Sequence, residues 1–377
     1  MRFFDHNATT PLLPEAKAAW LEASESHWLN PSSPYRAAAA THARMEAARE
    51  RLACLLEVDP CRVVFNSGAT EGNNAVFAHW SKSLRESATI AVGATEHPSV
   101  LEPAKRYFEN KVDLLQPDAS GVIRPESLGE GSIGAVSVMA ANNETGVLNP
   151  WSRWVEACRG RGLPFHCDVS QWVGKMPLPD LGRCDYLTAC GHKFGGPRGV
   201  GFLLVPEGFA GGFAGGIQEQ GRRAGTEDVA GILAMVAALE ACEGNADRRT
   251  SAGKARFNEG LTRAIPGVRF IGAEAPTLWN TVSVIMPRFG SARWIRSLEK
   301  RGFLISAGSA CSSGKQGPSH VLAAMGLETD AAGRTLRISS GPSTTAEDWD
   351  ALLEAFVDSH ASLLAEPASG PSKVISI

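Results

Sequence analysis

Lys193 is the residue with the clearest potential for covalent chemistry. It lies between an apolar run, residues 186–189, and a glycine-rich turn that leads into a second apolar run at residues 200–205. A lysine amine at a buried, glycine-lined strand end loses hydration, which favours its neutral, nucleophilic form. Such an amine can hold an aldehyde cofactor as a Schiff base. A solvated lysine beside a tight turn accounts for this stretch alone equally well.

Small and polar residues at positions 67–74, Ser-Gly-Ala-Thr-Glu-Gly-Asn-Asn, form a predicted strand-to-helix turn. Small residues let the backbone approach a ligand closely, and the start of a helix offers unpaired N–H groups to an anion. The pattern indicates either a phosphate site or a plain capped turn.

Asp168 and Gln171 follow another short apolar run. An acid at the end of a buried strand needs a partner, because burial otherwise raises its pKa. A protonated pyridine nitrogen is one such partner, and that pairing makes the ring a better electron sink. An arginine partner or a capped turn is the alternative.

Three further candidates lie in predicted loops. His97 follows a strand and could stack on a ring and move protons near neutral pH, although a structural role is the commoner one for a loop histidine. A polar cluster at residues 142–146 follows the next strand. Cys311 is the one cysteine of eight set in a run of small, polar residues, where it can ionise and attack as its loop moves, or remain an inert surface thiol.

The elements that must position these residues are short apolar runs that alternate with helical patterns. This alternation predicts βαβ units and a mainly parallel sheet covered on both faces, with the ligand site beyond the carboxyl ends of the strands. A compact α+β region should follow from about residue 246, after a long connection at residues 211–225 of the kind that is usually functional. The predicted strands are 63–65, 89–94, 135–140, 165–167, 186–189, 200–205, 281–286, 303–305 and 336–338. The longest predicted helices are 14–27, 37–56, 151–160, 229–242, 291–300 and 347–364.

The composition is that of an ordinary soluble enzyme. The 377 residues are 44% hydrophobic and 20% charged, with a formal net charge of −3. The chain has no basic excess for nucleic acid, no apolar run long enough for a membrane span and no secretory signal pattern at its start. The eight cysteines show no metal-finger spacing, so we expect no metal site and a cytoplasmic location.

Taken in order, these motifs resemble the cysteine desulfurases, which are pyridoxal-phosphate enzymes of the class V aminotransferase group. The similarity runs from Phe-Asp-His-Asn-Ala-Thr-Thr at residues 4–10 to Leu-Arg-Ile-Ser-Ser-Gly at 336–341. The Gly-Ser-Ala-Cys-Ser-Ser motif at 308–313 and the following segment 318–322 are similar to the NifS/IscS-type branch. The resemblance implies the pyridoxal-phosphate-dependent transferase fold, α/β, aspartate aminotransferase-like (fold type I). It also implies a large cofactor domain, 15–245, and a small domain, 1–14 and 246–377.

Carried over position by position, the resemblance implies a role for each candidate. The catalytic residues are Lys193, which forms the Schiff base, His97, which stacks on the pyridine ring, and Cys311, which takes sulfur from L-cysteine as a persulfide while alanine leaves. The implied cofactor contacts are Ala69, Thr70, His97, Asn143, Asp168, Gln171, Cys190, His192, Lys193 and Thr226, and the implied substrate-carboxylate contacts are Asn30 and Arg337.

The resemblance also implies partners. Thr226 is expected to reach the phosphate of a second subunit, which predicts a homodimer, and the persulfide is expected to pass to an acceptor protein of iron–sulfur cluster assembly or a thiolation pathway. The apolar end of the chain, residues 374–377, is a candidate docking segment for that acceptor.

Four positions depart from the family pattern. Cys190 stands where a phosphate-contacting serine or threonine is usual, and a thiol is the weaker donor. His6 replaces a common asparagine, Arg198 replaces a lysine, and Pro34-Tyr35 replaces a usual x-His pair. Two other functions remain open: a selenocysteine lyase or related lyase that does not need Cys311, and a non-catalytic partner platform.

Overall fold

The computed structural model describes residues 1–308 and 319–366. Cys311 and the apolar end at 374–377 lie outside these ranges. The helices are α1 Pro14–Ser26, α2 Arg36–Leu55, α3 Ala69–Ser83, α4 Pro98–Phe108, α5 Trp151–Gly160, α6 Val229–Gly244, α7 Ala252–Ala264, α8 Ser291–Lys300, α9 His320–Ala324, α10 Thr329–Gly333 and α11 Ala346–Ala365. The strands are β1 Arg2–Phe3, β2 Val63–Asn66, β3 Thr89–Gly93, β4 Val112–Leu115, β5 Ile133–Ser137, β6 Phe165–Asp168, β7 Tyr186–Cys190, β8 Gly201–Leu204, β9 Arg269–Phe270, β10 Thr281–Ile285, β11 Phe303–Leu304, β12 Ser306–Ala307 and β13 Thr335–Ser339.

A seven-stranded sheet in the order β2-β8-β7-β6-β5-β3-β4 forms the centre of the larger part of the molecule. Its strands are parallel except β8, which runs antiparallel to both of its neighbours. The inner strands are buried along their length because helices cover both faces. Helices α1, α2, α5 and α6 pack on one face, and α3 and α4 pack on the other. The predicted mainly parallel α/β sheet is confirmed.

A second, antiparallel sheet has the order β12-β13-β10-β9. Its core is separate from that of the large sheet and is built by apolar side chains of these strands and of α7, α8 and α11. The first strand of the chain, β1, pairs in parallel with β11, so the amino terminus packs with this core. The predicted domain boundary at residues 245/246, with 1–14 in the small domain, stays a prediction.

Four strands have no counterpart among the strands predicted from the sequence: β1, β4, β9 and β12. β4 is an edge strand whose Asp113 and Leu114 are exposed, so it lacks the continuous apolar run of a buried strand. β12 lies in a segment predicted as loop. The predicted strand 135–140 overlaps β5, which spans Ile133–Ser137, but begins two residues and ends three residues later. Beyond β5 the backbone N–H groups of Val138 and Ala140 still donate to His166 and Asp168 of β6.

Among the described residues, no helix has the length and apolar character needed to cross a membrane.

Candidate active site

A cavity of about 620 Å³ opens at the carboxyl ends of the parallel strands, where the sequence predicted a ligand site. It brings together residues from segments that are far apart in the chain. The predicted site residues that line it are Ala69, Thr70, His97, Asn143, Asp168, Gln171, Cys190, His192, Lys193 and Arg337.

Lys193 ends the short helical turn that follows β7. Its Nζ donates to the backbone oxygens of Asn7, at 2.7 Å, and Ala8, at 2.8 Å. Burial lowers the pKa of the Lys193 amine, and the positive charge of Arg337 acts in the same direction. The arrangement therefore favours a neutral, nucleophilic amine inside the cavity.

Asp168 is the last residue of β6. Its Oδ2 accepts a hydrogen bond from Asn73 Nδ2, and its Oδ1 accepts one from the backbone N–H of Ser170, each at 2.9 Å. Asn73 is itself oriented by Thr188, whose hydroxyl donates to Asn73 Oδ1 at 2.6 Å. These fixed donors hold the carboxylate in one position at the cavity wall.

Glu96 is a second carboxyl behind the site and is fully buried. Burial, and after it the negative charge of Asp168, raises the pKa of Glu96 well above its usual value. Its Oε1 accepts a hydrogen bond from the backbone N–H of Met139, and its Oε2 has no partner among the described residues. This pKa shift favours a neutral Glu96.

His97 caps the amino end of α4, where Pro98 occupies the first helical position. The backbone N–H of Ser99 donates to His97 Nδ1 at 3.1 Å. A neutral ring that accepts at Nδ1 carries its proton on Nε2. Burial lowers the pKa of His97, more than nearby Asp168 raises it, so the ring is neutral near pH 7.

The amino end of α3 forms the anion side of the cavity. Gly68, at φ 136°, brings the backbone into the helix in a conformation that other residues rarely adopt. The first-turn N–H groups at Ala69 and Thr70 have no intrahelical acceptor and suit a phosphate. Glu71 in the same turn would repel that phosphate, but Arg223 pairs with it through Nε, at 2.9 Å, and so offsets its charge.

Arg337 lies on β13 and is only 1% exposed. Its Nη2 donates to Asp5 Oδ1 at 2.6 Å, and its Nη1 donates to the backbone oxygen of Asn143 at 3.1 Å. Its Nε has no partner among the described residues. The guanidinium is thus held by two contacts and retains donors for a carboxylate ligand.

Glu144 stands beside the guanidinium and is 3% exposed. Burial raises its pKa to about 7, although the Ser319 hydroxyl, which donates to its Oε2 at 2.6 Å, and the charge of Arg337 favour the ionised form.

Two of the predicted site residues that the structure describes are not brought into the cavity. Asn30 is exposed, and its Oδ1 accepts a hydrogen bond from the backbone N–H of Ser32 at 2.9 Å. Thr226 is also exposed. Neither Asn30 nor Thr226 is among the described residues that line the cavity. Cys311 lies outside the described residues. The roles of all three stay predictions.

Asn7 and Lys175 are site residues that the sequence analysis missed. Asn7 is 1% exposed. Its backbone oxygen accepts a hydrogen bond from Lys193 and another from Gln171 Nε2, the latter at 3.0 Å. The Nζ of Lys175 donates to Asn7 Oδ1 at 2.9 Å. The available signals were the position of Asn7 inside the amino-terminal motif and the spacing of four residues between Gln171 and Lys175.

The residues of the cavity fit pyridoxal 5′-phosphate. Lys193 provides an amine for its aldehyde, Asp168 a carboxylate for its pyridine nitrogen, His97 an imidazole for its ring, and the amino end of α3 a set of N–H donors for its phosphate. Cys190 is the one poor match, because burial raises the pKa of its thiol and a neutral thiol is a weak donor to phosphate.

Comparisons with known proteins agree with this cavity chemistry. The aminotransferase class-V family model matches residues 2–352. A cysteine desulfurase of Trichormus variabilis is 34% identical over 362 residues, which are 93% of this chain and 91% of that protein. A solved NifS-like protein superposes with a TM-score of 0.88 at 28% identity and covers 96% of this chain and 100% of its own. The solved structure of SspA in complex with cysteine has a TM-score of 0.79 at 28% identity and covers 91% of this chain and 99% of its own.

Pyridoxal phosphate is the cofactor of this family and of the fold type I to which the structure conforms. The chain belongs to the class V aminotransferases.

Proposed function

We propose that this protein is a pyridoxal-phosphate-dependent cysteine desulfurase, which converts L-cysteine to L-alanine and leaves a persulfide on Cys311. The observation that carries the proposal is the meeting of Lys193, Asp168, His97 and Arg337 in one cavity. Relatives named cysteine desulfurase match over nearly the whole chain, and a related solved structure contains cysteine. Bound pyridoxal phosphate supplies an electron sink for the carbon next to the substrate amine.

The chain's own residues account for binding and proton transfer. Arg337 binds the substrate carboxylate with the donors that Asp5 and Asn143 leave free. Burial lowers the pKa of Lys193, which favours the neutral form that acts as a nucleophile and as a proton carrier. His97 presents its Nε2 proton to the cavity and can exchange it during the reaction.

The sulfur step balances without an added oxidant or reductant. The thiolate of Cys311 attacks the sulfur of the substrate, an S–S bond forms, and the C–S bond breaks. The carbon that loses sulfur takes a proton, so alanine leaves and the outer sulfur stays on Cys311 as a persulfide.

The test is the formation of alanine and protein-bound persulfide from L-cysteine by the purified protein, compared with Cys311→Ala. Cys54→Ala, which removes an exposed thiol outside the cavity, is the matched control. We expect the parent and the control to form both products and Cys311→Ala to form neither. Full turnover by Cys311→Ala would instead favour a lyase of the selenocysteine type.

We also propose that the enzyme is a homodimer in which Thr226 reaches the cofactor phosphate of the second subunit. Thr226 is exposed and does not line its own cavity, and the same connection carries Ile217, which is 89% exposed. Mixed dimers of Lys193→Ala and Thr226→Ala subunits test this. If Thr226 acts across subunits, one of the two sites in each mixed dimer contains both Lys193 and Thr226, and activity returns. If Thr226 acts within its own subunit, neither site contains both residues, and the mixed dimer stays inactive.

The sulfur acceptor is proposed to be a protein, such as an iron–sulfur scaffold or a thiolation carrier, in the cytoplasm. The seven cysteines within the described residues are all free thiols, in keeping with a reducing compartment. Incubating the protein, loaded with radiolabelled sulfur, with each kind of acceptor and following the label tests the transfer. Repeating the assay with a chain that ends before residue 374 tests whether its apolar end docks the acceptor.

The domain division proposed for this enzyme is residues 15–245 against residues 1–14 with 246–377. Support comes from two separate apolar cores, one around the seven-stranded sheet and one that joins Phe4 to α7, α8 and α11. Limited proteolysis should then cut first between α6 and α7.

A further inference from the structure

We propose that Lys175 is a positioning residue, which turns the side-chain amide of Gln171 so that its NH2 group faces the cavity and donates to the ring oxygen of pyridoxal phosphate. The inference rests on the proposed cofactor site, in which the family resemblance implies a contact from Gln171. It adds a residue that, together with the backbone oxygen of Asn7, decides which end of the Gln171 amide the cofactor meets.

Lys175 is a buried lysine, 5% exposed, four residues after Gln171. Its Nζ donates to two acceptors, Asn7 Oδ1 at 2.9 Å and Gln171 Oε1. Burial lowers the pKa of Lys175 well below its usual value, and the charges of Lys193 and Arg337 add to the effect. The two hydrogen bonds use two of the amine's hydrogens, so both persist whether the group is charged or neutral.

The direction of the Asn7 amide is set independently of Lys175. Asn7 Nδ2 donates to Thr281 Oγ1 at 2.9 Å and to the backbone oxygen of Asn143 at 3.2 Å. Thr281 in turn donates its own proton to Asn280 Oδ1, so its oxygen is free to accept. Asn7 Oδ1 therefore faces Lys175 and fixes the amine as a donor.

The direction of the Gln171 amide follows from these contacts. Its Oε1 accepts from Lys175, and its Nε2 donates one hydrogen to the backbone oxygen of Asn7 at 3.0 Å. Gln171 lines the cavity, and one N–H of its amide remains for a ligand. The opposite orientation would place two donors, the NH2 group and the amine, against each other and would leave the backbone oxygen of Asn7 facing the amide oxygen.

The test compares cofactor binding with binding of 3-deoxypyridoxal 5′-phosphate, an analogue with hydrogen in place of the ring hydroxyl. The apoprotein, Lys175→Met and Gln171→Leu are titrated with each compound. We expect Lys175→Met to weaken binding of pyridoxal phosphate about two- to tenfold more than binding of the analogue, which is the range for one hydrogen bond. Gln171→Leu should weaken binding of pyridoxal phosphate more than binding of the analogue by the same factor. The variant with both substitutions should show no larger difference between the two compounds than either single variant.

A partly buried lysine outside the cavity serves as the control. Lys254 is partly buried and donates to Thr277 Oγ1 and to the backbone oxygen of Leu278, outside the cavity. Lys254→Met should therefore leave the preference between the two compounds unchanged. A second cavity, of about 370 Å³, borders Lys175 and gives room for the larger side chain of Lys175→Arg. This variant keeps two hydrogen-bond donors, so it should keep the preference for pyridoxal phosphate over the analogue.

If Lys175→Met changed the binding of pyridoxal phosphate and of the analogue by the same factor, the inference would be overturned and Lys175 would have a structural role only. Loss of the preference in Lys175→Arg while the protein still binds the analogue would count against it as well. Neither result depends on turnover, so a failure of the desulfurase proposal would be seen separately, as bound cofactor without alanine formation.

Discussion

Arg49 and Glu219 form a bidentate ion pair in the interior, with Nη1–Oε2 at 2.7 Å and Nη2–Oε1 at 2.8 Å. Both side chains are almost fully buried. Glu219 Oε2 also accepts a hydrogen bond from the backbone N–H of Phe65 in β2 at 2.9 Å. The pair therefore fixes the connection between β8 and α6, which carries Thr226, to the edge of the large sheet.

Removing one partner of this pair should destabilise the protein strongly. Glu219→Gln removes the buried counter-ion of Arg49 and leaves it only the partly exposed Glu46, whose Oε1 lies 3.1 Å from Arg49 Nη2. Removing one partner of a buried pair costs about 3–5 kcal/mol in free energy of unfolding, and because Glu46 remains we expect a loss at the lower end of that range. Urea unfolding measures the loss. Asp350→Asn, in the exposed pair of Arg256 and Asp350, should cost less than about 1 kcal/mol. Similar losses for the two variants would show that the buried pair is not a main support of this connection.

Restoring a hydroxyl at position 190 should tighten cofactor binding. Cys190→Ser replaces a weak thiol donor at the cavity wall with a hydroxyl, and one neutral hydrogen bond is worth roughly 0.5–1.5 kcal/mol, or about two- to tenfold in dissociation constant. Equilibrium titration of the apoprotein with pyridoxal phosphate measures the change, with the exposed Cys54→Ser as control. Unchanged or weaker binding would mean that Cys190 does not face the phosphate.

Arg337 should act on substrate binding through its planar fork of donors. Arg337→Met should lower kcat/KM for L-cysteine about tenfold to hundredfold, the range for hydrogen bonds to a charged group. Arg337→Lys keeps the charge but not the fork, so its loss should be intermediate. Arg334→Met, which removes a nearby guanidinium that binds the backbone at Met286, should leave KM unchanged. A KM that does not move in Arg337→Met would remove this residue from the substrate site.

His6 should make the protein sensitive to acid. Burial, with the nearby charge of Lys175, lowers the pKa of His6 from 6.5 to about 4. Between these two values only the unfolded state takes up the proton, so the free energy of unfolding falls as the pH falls from 6.5 to about 4.

Unfolding measured across this pH range should therefore show a shallower slope for His6→Asn than for the parent. The exposed His42→Asn should keep the parent slope. Identical slopes for the parent and His6→Asn would contradict the assignment of a neutral buried His6.

The sequence was informative where strands are buried on both faces, because β3, β6 and β7 read as apolar runs and each places a polar residue at its carboxyl end. This is why Asp168, His97 and Lys193 could be predicted to meet. The role of Asn7 could not be predicted, since its partners Gln171, Thr281 and Ser339 lie 164, 274 and 332 positions away.

Lys175 illustrates a second limit of sequence patterns. In the sequence it is one charged residue in a turn, and only the packing of the amino-terminal segment over it makes it a buried donor. Asn30 and Thr226 show a third limit, because motif position indicated a role and the fold of one chain leaves both side chains exposed.

Mass spectrometry of the protein after a single turnover with L-cysteine tests the central claim most directly. The account predicts that the peptide containing Cys311 gains the mass of one sulfur atom, that this gain disappears on reduction, and that one alanine is released for each modified chain. Alanine released with no added sulfur on that peptide would contradict the account, because sulfur would then leave without passing through Cys311.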